Sequence, residues 1–298
     1  MKQRTLNEYL REKYGKKLYK ISINAGFTCP NRDGTLGNRG CIFCSGSGSG
    51  DFAENPLLSI SEQIELGKKR VEKKLPKEDY GYIAYFQAFT NTYAPVSRLR
   101  EVYMEAVKNP EIEIISIATR PDCLGNDVLD LLSEINAIKP VWVELGLQTI
   151  HEKTAEYIRR GYPLSVYDEA VKKLKTRGIE TIVHVIIGLP GETRKDMIET
   201  VKYVGDSGVE GIKLQLLHVL KGTDLEKDYL EGRFECLSLD EYVEIIREAL
   251  EVLPEDIVIH RMTGDGDKKI LVAPLWSGDK KKVLNMLNKY FTAIVRTR

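Results

Sequence analysis

Cys29, Cys41 and Cys44 fall within sixteen residues, in the segment CPNRDGTLGNRGCIFC. Their C-x11-C-x2-C spacing suits metal ligation. Between the first two lie Pro30, Asp33-Gly34, Gly37 and Gly40, turn residues that can fold a loop and bring separate thiolates to one centre. Structural zinc sites are closed by four ligands, and electron-transfer iron–sulfur clusters are usually held by four cysteines. Three neighbouring thiolates with no adjacent fourth leave one coordination position for something that reacts. Two other readings stay open on these residues. One is zinc, completed by a distant His151, His184, His218 or His260; the other is cysteines that cluster by chance and bind nothing. Cys123 and Cys236 stand alone and read as small buried apolar residues. Cys123 lies just past a predicted strand end and is also a candidate hydrogen-atom donor. Five cysteines, an odd number at uneven spacing, fit a reduced cytoplasmic protein with a metal site rather than a disulfide scaffold.

The elements that must position these thiols alternate regularly. Strands are predicted at 17–24, 81–87, 113–119, 140–146, 181–188 and 211–217, several of them nearly continuous in Val, Ile and Tyr, as strands covered on both faces are. Helices are predicted at 59–75, 96–108, 126–137, 165–177 and 193–206, the last capped by Thr193. Six β/α units in order imply a parallel sheet with right-handed crossovers, closed as a barrel or doubly wound, with chemistry where strands end and helices begin. Cys29 follows the first strand, and Arg120, Gln148 and His218 fall at strand ends. Glu144, His184, Lys213 and Gln215 are polar residues inside apolar strands. Such side chains need partners or a wet cavity, and together they favour a polar lumen over a set of satisfied core contacts. The run SGSGSG at 45–50 has linker composition but adjoins two of the cysteines, so a mobile loop beside a site is the other reading. GLPGE at 188–192 is a glycine turn without the GK[ST] ending of a phosphate loop.

Past residue 221 the alternation stops, which divides the chain into 1–221 and a helix-rich extension, 222–298, expected to pack on the first part. Helices at 238–252 and 280–296 flank a short strand at 256–260. Residues 260–298 hold nine Lys/Arg against three Asp. Val283, Leu287, Phe291 and Ile294 share one face of the last helix and would dock it on the barrel, turning Lys280, Lys281 and Lys282 outward. Those lysines are either a solvated face or a patch for a phosphate-bearing substrate. Composition bounds the rest. The chain has 298 residues, 42% of them hydrophobic and 30% charged, with 44 Lys+Arg balancing 44 Asp+Glu, which excludes disorder and a uniformly basic nucleic-acid coat. No apolar run approaches the roughly 18 residues of a membrane helix, and the charged N-terminus is not a secretory signal.

Three cysteines after the first strand, with Phe43 before the last of them, make the chain resemble the radical S-adenosylmethionine (SAM) superfamily. NAGFTCPNRDGT (24–35), GCIFCSGSGSGDF (40–52), YFQAFTNTYAP (85–95), TRPDC (119–123), WVELGLQT (142–149), GLPGET (188–193), HVLKGT (218–223), IHRMTGD (259–265) and LVAPLWS (271–277) narrow the resemblance. They are similar to the YhcC/YtqA-type, MnmL-like family, itself related to the radical SAM domain of the elongator catalytic subunit.

The resemblance implies a partial (β/α)6 barrel and a [4Fe–4S] cluster held by Cys29, Cys41 and Cys44. SAM would chelate the fourth iron and be cleaved to a 5′-deoxyadenosyl radical, with electrons from a donor such as a flavodoxin or ferredoxin. By the same resemblance Phe43 packs near the adenine, and the Gln87–Asn91 segment meets the methionine amino group. Arg120 meets the ribose, and Gln148 reaches SAM. Arg160 pairs with the SAM carboxylate, and His184 starts the strand flanking the adenine. His218, which ends the sixth strand, is a candidate for a substrate role from its position. The relatives point to tRNA. The expected reaction is conversion of 5-carboxymethylaminomethyluridine to 5-aminomethyluridine at the wobble position, with the basic extension as a foothold for RNA. Because the chain ends at 298, no acetyltransferase domain is expected in cis. The competing functions are a radical SAM enzyme for a small metabolite or protein, and a non-catalytic zinc module.

Overall fold

In the computed structural model, residues 3–296 are described, apart from Ser49, Asp51, Phe52, Lys77 and Asp265, with side chains described as far as Lys289. Strand β1 (Arg4–Thr5) leads into helix α1 (Leu6–Tyr14), capped by a reciprocal Thr5–Glu8 box. Strand β2 (Lys17–Ile23) precedes the cysteine loop, and α2 (Ile60–Val71) follows it. The regular units then run β3 (Tyr80–Phe86), α3 (Val96–Val107), β4 (Ile112–Thr119), α4 (Asn126–Asn136) and β5 (Val141–Gln148). They continue through α5 (Glu152–Tyr157), α6 (Leu164–Thr176), β6 (Glu180–Ile187), α7 (Arg194–Asp206) and β7 (Gly211–Leu216). The six strands from β2 to β7 pair in parallel and in sequence order. This is the curled half-barrel with outer helices that the alternation and the resemblance imply. Thr193 caps α7 with Asp196, as its position predicts.

The rest of the chain closes this unit. Strand β8 (Val219–Leu220) is followed by α8 (Asp224–Leu230), α9 (Leu239–Val252), β9 (Val258–Arg261), β10 (Leu271–Ala273) and α10 (Lys280–Arg296). Strand β9 pairs in parallel with β7, and β1 pairs with β9, so both ends of the chain extend the main sheet. Strand β10 pairs antiparallel with β8. Helix α10 packs on α9, with Val283 and Leu287 buried and Lys280, Lys281 and Lys282 exposed. The side chains of Phe291 and Ile294, the other half of the predicted stripe, lie outside the described residues.

The outer face of the sheet and the inner faces of the helices form the main apolar core, where Phe86, Leu99, Tyr103, Leu129, Tyr167, Val201 and Tyr242 are fully buried. A second apolar cluster plugs the base of the barrel. Leu18, Ile83, Ile114, Trp142 and Ile182 point inward from β2 to β6, and Leu10 of α1 seals them from below. Fully burying one such side chain is worth about 1.5–3 kcal/mol, so α1, though mostly charged, is anchored by its apolar stripe. At the base of β7 a glycine is needed. A Cβ on Gly211 would lie 2.7 Å from the ring of His260, which fills that corner.

Candidate active site

Side chains two apart on a strand share a face, so the inward residues stack in layers, as barrel interiors do. Above the apolar plug lies a polar layer: Lys20, Tyr85, Ser116, Glu144, His184 and Lys213, each two residues beyond a plug residue except Lys213, which follows Gly211. Above that comes the rim: Ser22, Gln87, Ala118, Gly146, Ile186 and Gln215. One cavity of about 620 Å³ runs from the cysteine loop past the rim to the polar layer, within the roughly 300–1,000 Å³ of small-ligand sites.

The polar layer is organised by Glu144, which is fully buried. Its Oε1 accepts from Lys20 Nζ at 2.8 Å and Ser116 Oγ at 2.7 Å. Its Oε2 accepts from His184 Nε2 at 2.7 Å and from Lys213 Nζ. Because Gln215 Nε2 donates to His184 Nδ1 at 3.0 Å, the imidazole carries its proton on Nε2. Burial raises the Glu144 carboxyl, but Lys20, Lys213 and His184 outweigh it and hold the group well below the usual carboxylate range. Burial, reinforced by Lys213, lowers His184 to about 4.

The cysteine loop caps the cavity, and hydrogen bonds mostly between backbone and non-cysteine side chains set its shape. Asn31 Nδ2 donates to the Arg159 carbonyl at 2.7 Å and to Cys41 Sγ at 3.4 Å. Arg32 ties the Cys44 and Ser45 carbonyls at 3.1 and 2.6 Å. The Ser-Gly run is not a free linker. The Gly48 carbonyl accepts from the Phe89 amide at 2.8 Å, and a Cβ on Gly48, whose φ is +60°, would lie 2.3 Å from the Phe89 ring. Glycine there lets the loop press on the segment after β3, which composition alone does not reveal.

The structure gathers most of the residues singled out by sequence. Cys29, Cys41, Cys44, Phe43, Gln87, Arg120, Gln148, Arg160, His184 and His218 all line the one cavity. Arg120 is paired twice with Asp122, at 2.9 and 2.7 Å. Arg160 is held by the Tyr162 and Thr149 carbonyls, at 2.9 and 2.6 Å, and by both Glu152 oxygens at 3.1 Å. Gln148 ends β5 at φ +72°, a left-handed conformation uncommon outside glycine that costs on the order of 1–3 kcal/mol and aims its side chain into the cavity. His184 lies mid-strand in β6, fixed in the polar layer. Gly264 lies against His218, where a Cβ would come within 2.2 Å of the ring. Two residues stand apart. Asn91 is buried behind the cavity wall, its Nδ2 donating to the Ala118 carbonyl at 2.9 Å. Cys123 lines a separate open cleft with Leu36, Tyr93 and Pro95.

Comparison with known proteins now decides the family. Residues 34–204 match the Radical SAM superfamily, and residues 209–293 match the Radical_SAM C-terminal domain. The chain belongs to the radical SAM superfamily. It is 49% identical over 285 residues to YtqA of Bacillus subtilis (strain 168), covering 96% of this chain and 88% of that one. It is 37% identical over 282 residues to YhcC of Escherichia coli (strain K12), covering 94% and 89%. A tRNA uridine(34) acetyltransferase of Methanocaldococcus jannaschii is 28% identical over 176 residues, 58% of this chain and 31% of that one. Among solved structures, Elp3 of Methanocaldococcus infernus superposes with a TM-score of 0.67 at 17% identity, over 92% of this chain and 63% of that one. The fold is thus the radical SAM fold, in a YhcC/YtqA-type relative of Elp3.

Radical SAM membership brings a [4Fe–4S] cluster and SAM, and the site fits both. Cys41 is partly buried. Burial, with Cys44 and Cys29 as like-charged neighbours, pushes its thiol up to about 12. Cys29, Cys41 and Cys44 line the same cavity, and iron or another metal bound among them would deprotonate a ligating thiol outright. Below them the cavity offers amide, guanidinium and aromatic contacts for a zwitterionic nucleoside. Sequence reading missed Lys20, Tyr85 and Ser116. The signal was present in KLYKISIN, where Lys20 and Ser22 alternate with Ile21 and Ile23 as one polar face. No helix among the described residues is long and apolar enough to cross a membrane.

Proposed function

We propose that this chain is a radical SAM oxidoreductase that trims wobble uridine of tRNA, converting the 5-carboxymethylaminomethyl group to 5-aminomethyl. The observation that carries the reading is the continuity of one cavity from three thiols to a polar layer deep in the barrel. Cys29, Cys41 and Cys44 would hold the cluster, and Gln87, Arg120, Gln148 and Arg160, which line the same cavity, would orient SAM. When bound, cluster and SAM supply hydrogen-atom abstraction. The hydrogen leaves the methylene between amine and carboxylate. A second electron passes to a one-electron acceptor and the amine proton to solvent, giving an imine. Water adds to that imine, the carbon–nitrogen bond breaks, and aminomethyluridine and glyoxylate result. The enclosed lumen keeps bulk water from the radical stage. Support for an RNA substrate comes from the relative named for tRNA uridine(34). A flavodoxin or ferredoxin is the electron donor in this reading, and residues 222–298 act as an RNA-side extension of the barrel, 1–221.

Nucleoside mass spectrometry of tRNA from cells lacking the gene tests the reaction. The expected result is accumulated 5-carboxymethylaminomethyluridine with loss of 5-aminomethyluridine; an unchanged nucleoside profile counts against it and favours a small metabolite or protein substrate. The extension gives a second expected outcome. Lys280, Lys281 and Lys282 project from the start of α10. Replacing all three by Gln should weaken tRNA binding and flatten its salt dependence, by up to about 0.7–0.9 in log–log slope for each phosphate no longer neutralised. Filter binding across salt concentrations reads both, and an unchanged slope removes the extension from the RNA footprint.

A further inference from the structure

The polar layer is unevenly charged. Lys20 comes from β2 and Lys213 from β7, the two ends of the six-strand run, yet both turn inward onto one carboxylate, Glu144 of β5. Among the described residues lining the cavity, Glu144 is the one acid. Its two oxygens already accept from Lys20, Ser116, His184 and Lys213. Nearer the cysteine loop, Arg120 is paired with Asp122 and Arg160 with Glu152, and Arg32 donates to the Cys44 and Ser45 carbonyls. Lys20 and Lys213 share the one carboxylate of Glu144, and burial pushes Lys213 well below the ordinary lysine value, so a further negative charge beside it would favour the ammonium form. The cavity reaches both lysines, so that charge can come from what enters it.

Depth says which kind of anion. The layer lies one side-chain step below the rim, roughly 6–7 Å along each strand. A backbone phosphate carries a sugar on either side and is ill suited to reach that depth. A carboxylate at the tip of an unbranched arm can reach it. Lys20 is the accessible partner, its side chain 21% exposed against 4% for Lys213. The Tyr85 ring lies between them, 4.6 Å from Lys20 Nζ and 4.5 Å from Lys213 Nζ, and Tyr85 Oη is 3.1 Å from Lys213 Nζ, which fixes both ammonium groups in place.

We infer that Lys20 and Lys213 form a seat for a substrate carboxylate, holding the adjacent methylene toward the cysteine end of the cavity as positioning residues. The inference rests on the reading of this cavity as the reaction site. It predicts that the substrate arm is recognised by its terminal charge, independently of the RNA that carries it.

The test uses the full chain with cluster and SAM bound, and two probe pairs. The first is an anticodon stem-loop with 5-carboxymethylaminomethyluridine at the wobble position, against the same RNA with the carboxylate replaced by a neutral amide. The second is N-benzylglycine against N-benzylglycinamide, which present the same arm on a small ring. The seat predicts at least about 10-fold tighter binding of the carboxylate in each pair, the size of a charge-assisted hydrogen bond. Lys20→Met should bring the ratio close to one, and Lys20→Arg should keep most of it. Equal affinities within both pairs overturn the seat, as does a preference that survives in both Lys20→Met and Lys213→Met. A Lys20-dependent preference for N-benzylglycine without any RNA binding overturns the RNA reading and upholds the seat.

Discussion

Cys41→Ala is expected to reduce reductive SAM cleavage to background while the chain remains folded. Cys41 is one of three partly buried thiols that line the cavity. Its own sulfur contacts, with Asn31 Nδ2 at 3.4 Å and the Arg159 carbonyl at 3.7 Å, are long, while other hydrogen bonds hold the loop. Gly40 N donates to the Asn31 carbonyl at 2.7 Å, Asn31 to the Arg159 carbonyl at 2.7 Å, and Arg32 to the carbonyl groups of Cys44 and Ser45. The stability cost should therefore be that of an ordinary substitution, about 1 kcal/mol, while the metal site loses a ligand. Cys236→Ala is the control. That thiol packs in the apolar cluster around Leu189, Leu217 and Val219, and burial pushes it up to about 11. 5′-Deoxyadenosine formation under dithionite, together with urea unfolding, reads the two effects separately. Retained cleavage in Cys41→Ala contradicts the ligand assignment.

Glu144→Ala is expected to have the largest effect on stability. Glu144 is fully buried, and its removal leaves Lys20 and Lys213 without their shared counter-charge and His184 Nε2 without its acceptor. Breaking a buried ion pair on one side costs roughly 3–5 kcal/mol. The folded-state carboxyl is depressed, so its contribution is present above the ordinary value of 4.5 and is lost as pH falls below it. His184 is depressed to about 4, so the folded chain binds fewer protons there than the unfolded one, and stability also declines as pH falls from 6.5 toward 4. Urea midpoints between pH 4 and 8 check both. The expected result is a wild-type midpoint that falls on the acid side, and a Glu144→Gln variant that starts lower and loses less below pH 4.5. Pairing Glu144→Gln with Lys213→Met should restore part of the loss, since the two residues share one interaction. A Glu144→Ala midpoint equal to wild type would show that the carboxylate does not hold this layer together.

The barrel strands were legible because several are nearly continuous Val, Ile and Tyr runs, as doubly covered strands are. Helix starts such as Ser59, Thr193 and Ser238 carry the cap-and-acid pattern that fixes them. The thiols were legible from spacing, and the polar lumen from charges stranded in apolar strands. What could not be read was pairing between distant segments. The 256–260 strand looks like an isolated piece of the extension, but β9 joins β7 in the main sheet, a fact about topology that local pattern does not encode. Helix α1, LNEYLREKY, hides one buried leucine among charges. Tyr85 reads as one more apolar strand residue until Lys213 is seen at its hydroxyl. Asn91 lies in the segment after β3 that the resemblance assigns to the cofactor, yet it faces the wall because its amide and its side chain both bond Ala118.

The metal centre is the claim on which the rest depends, and anaerobic reconstitution followed by electron paramagnetic resonance tests it most directly. The account predicts about four irons and four sulfides per chain, and a reduced-cluster signal that shifts when SAM is added because one iron is open to it. A chain that takes up zinc instead, or a cluster whose spectrum does not respond to SAM, would contradict it.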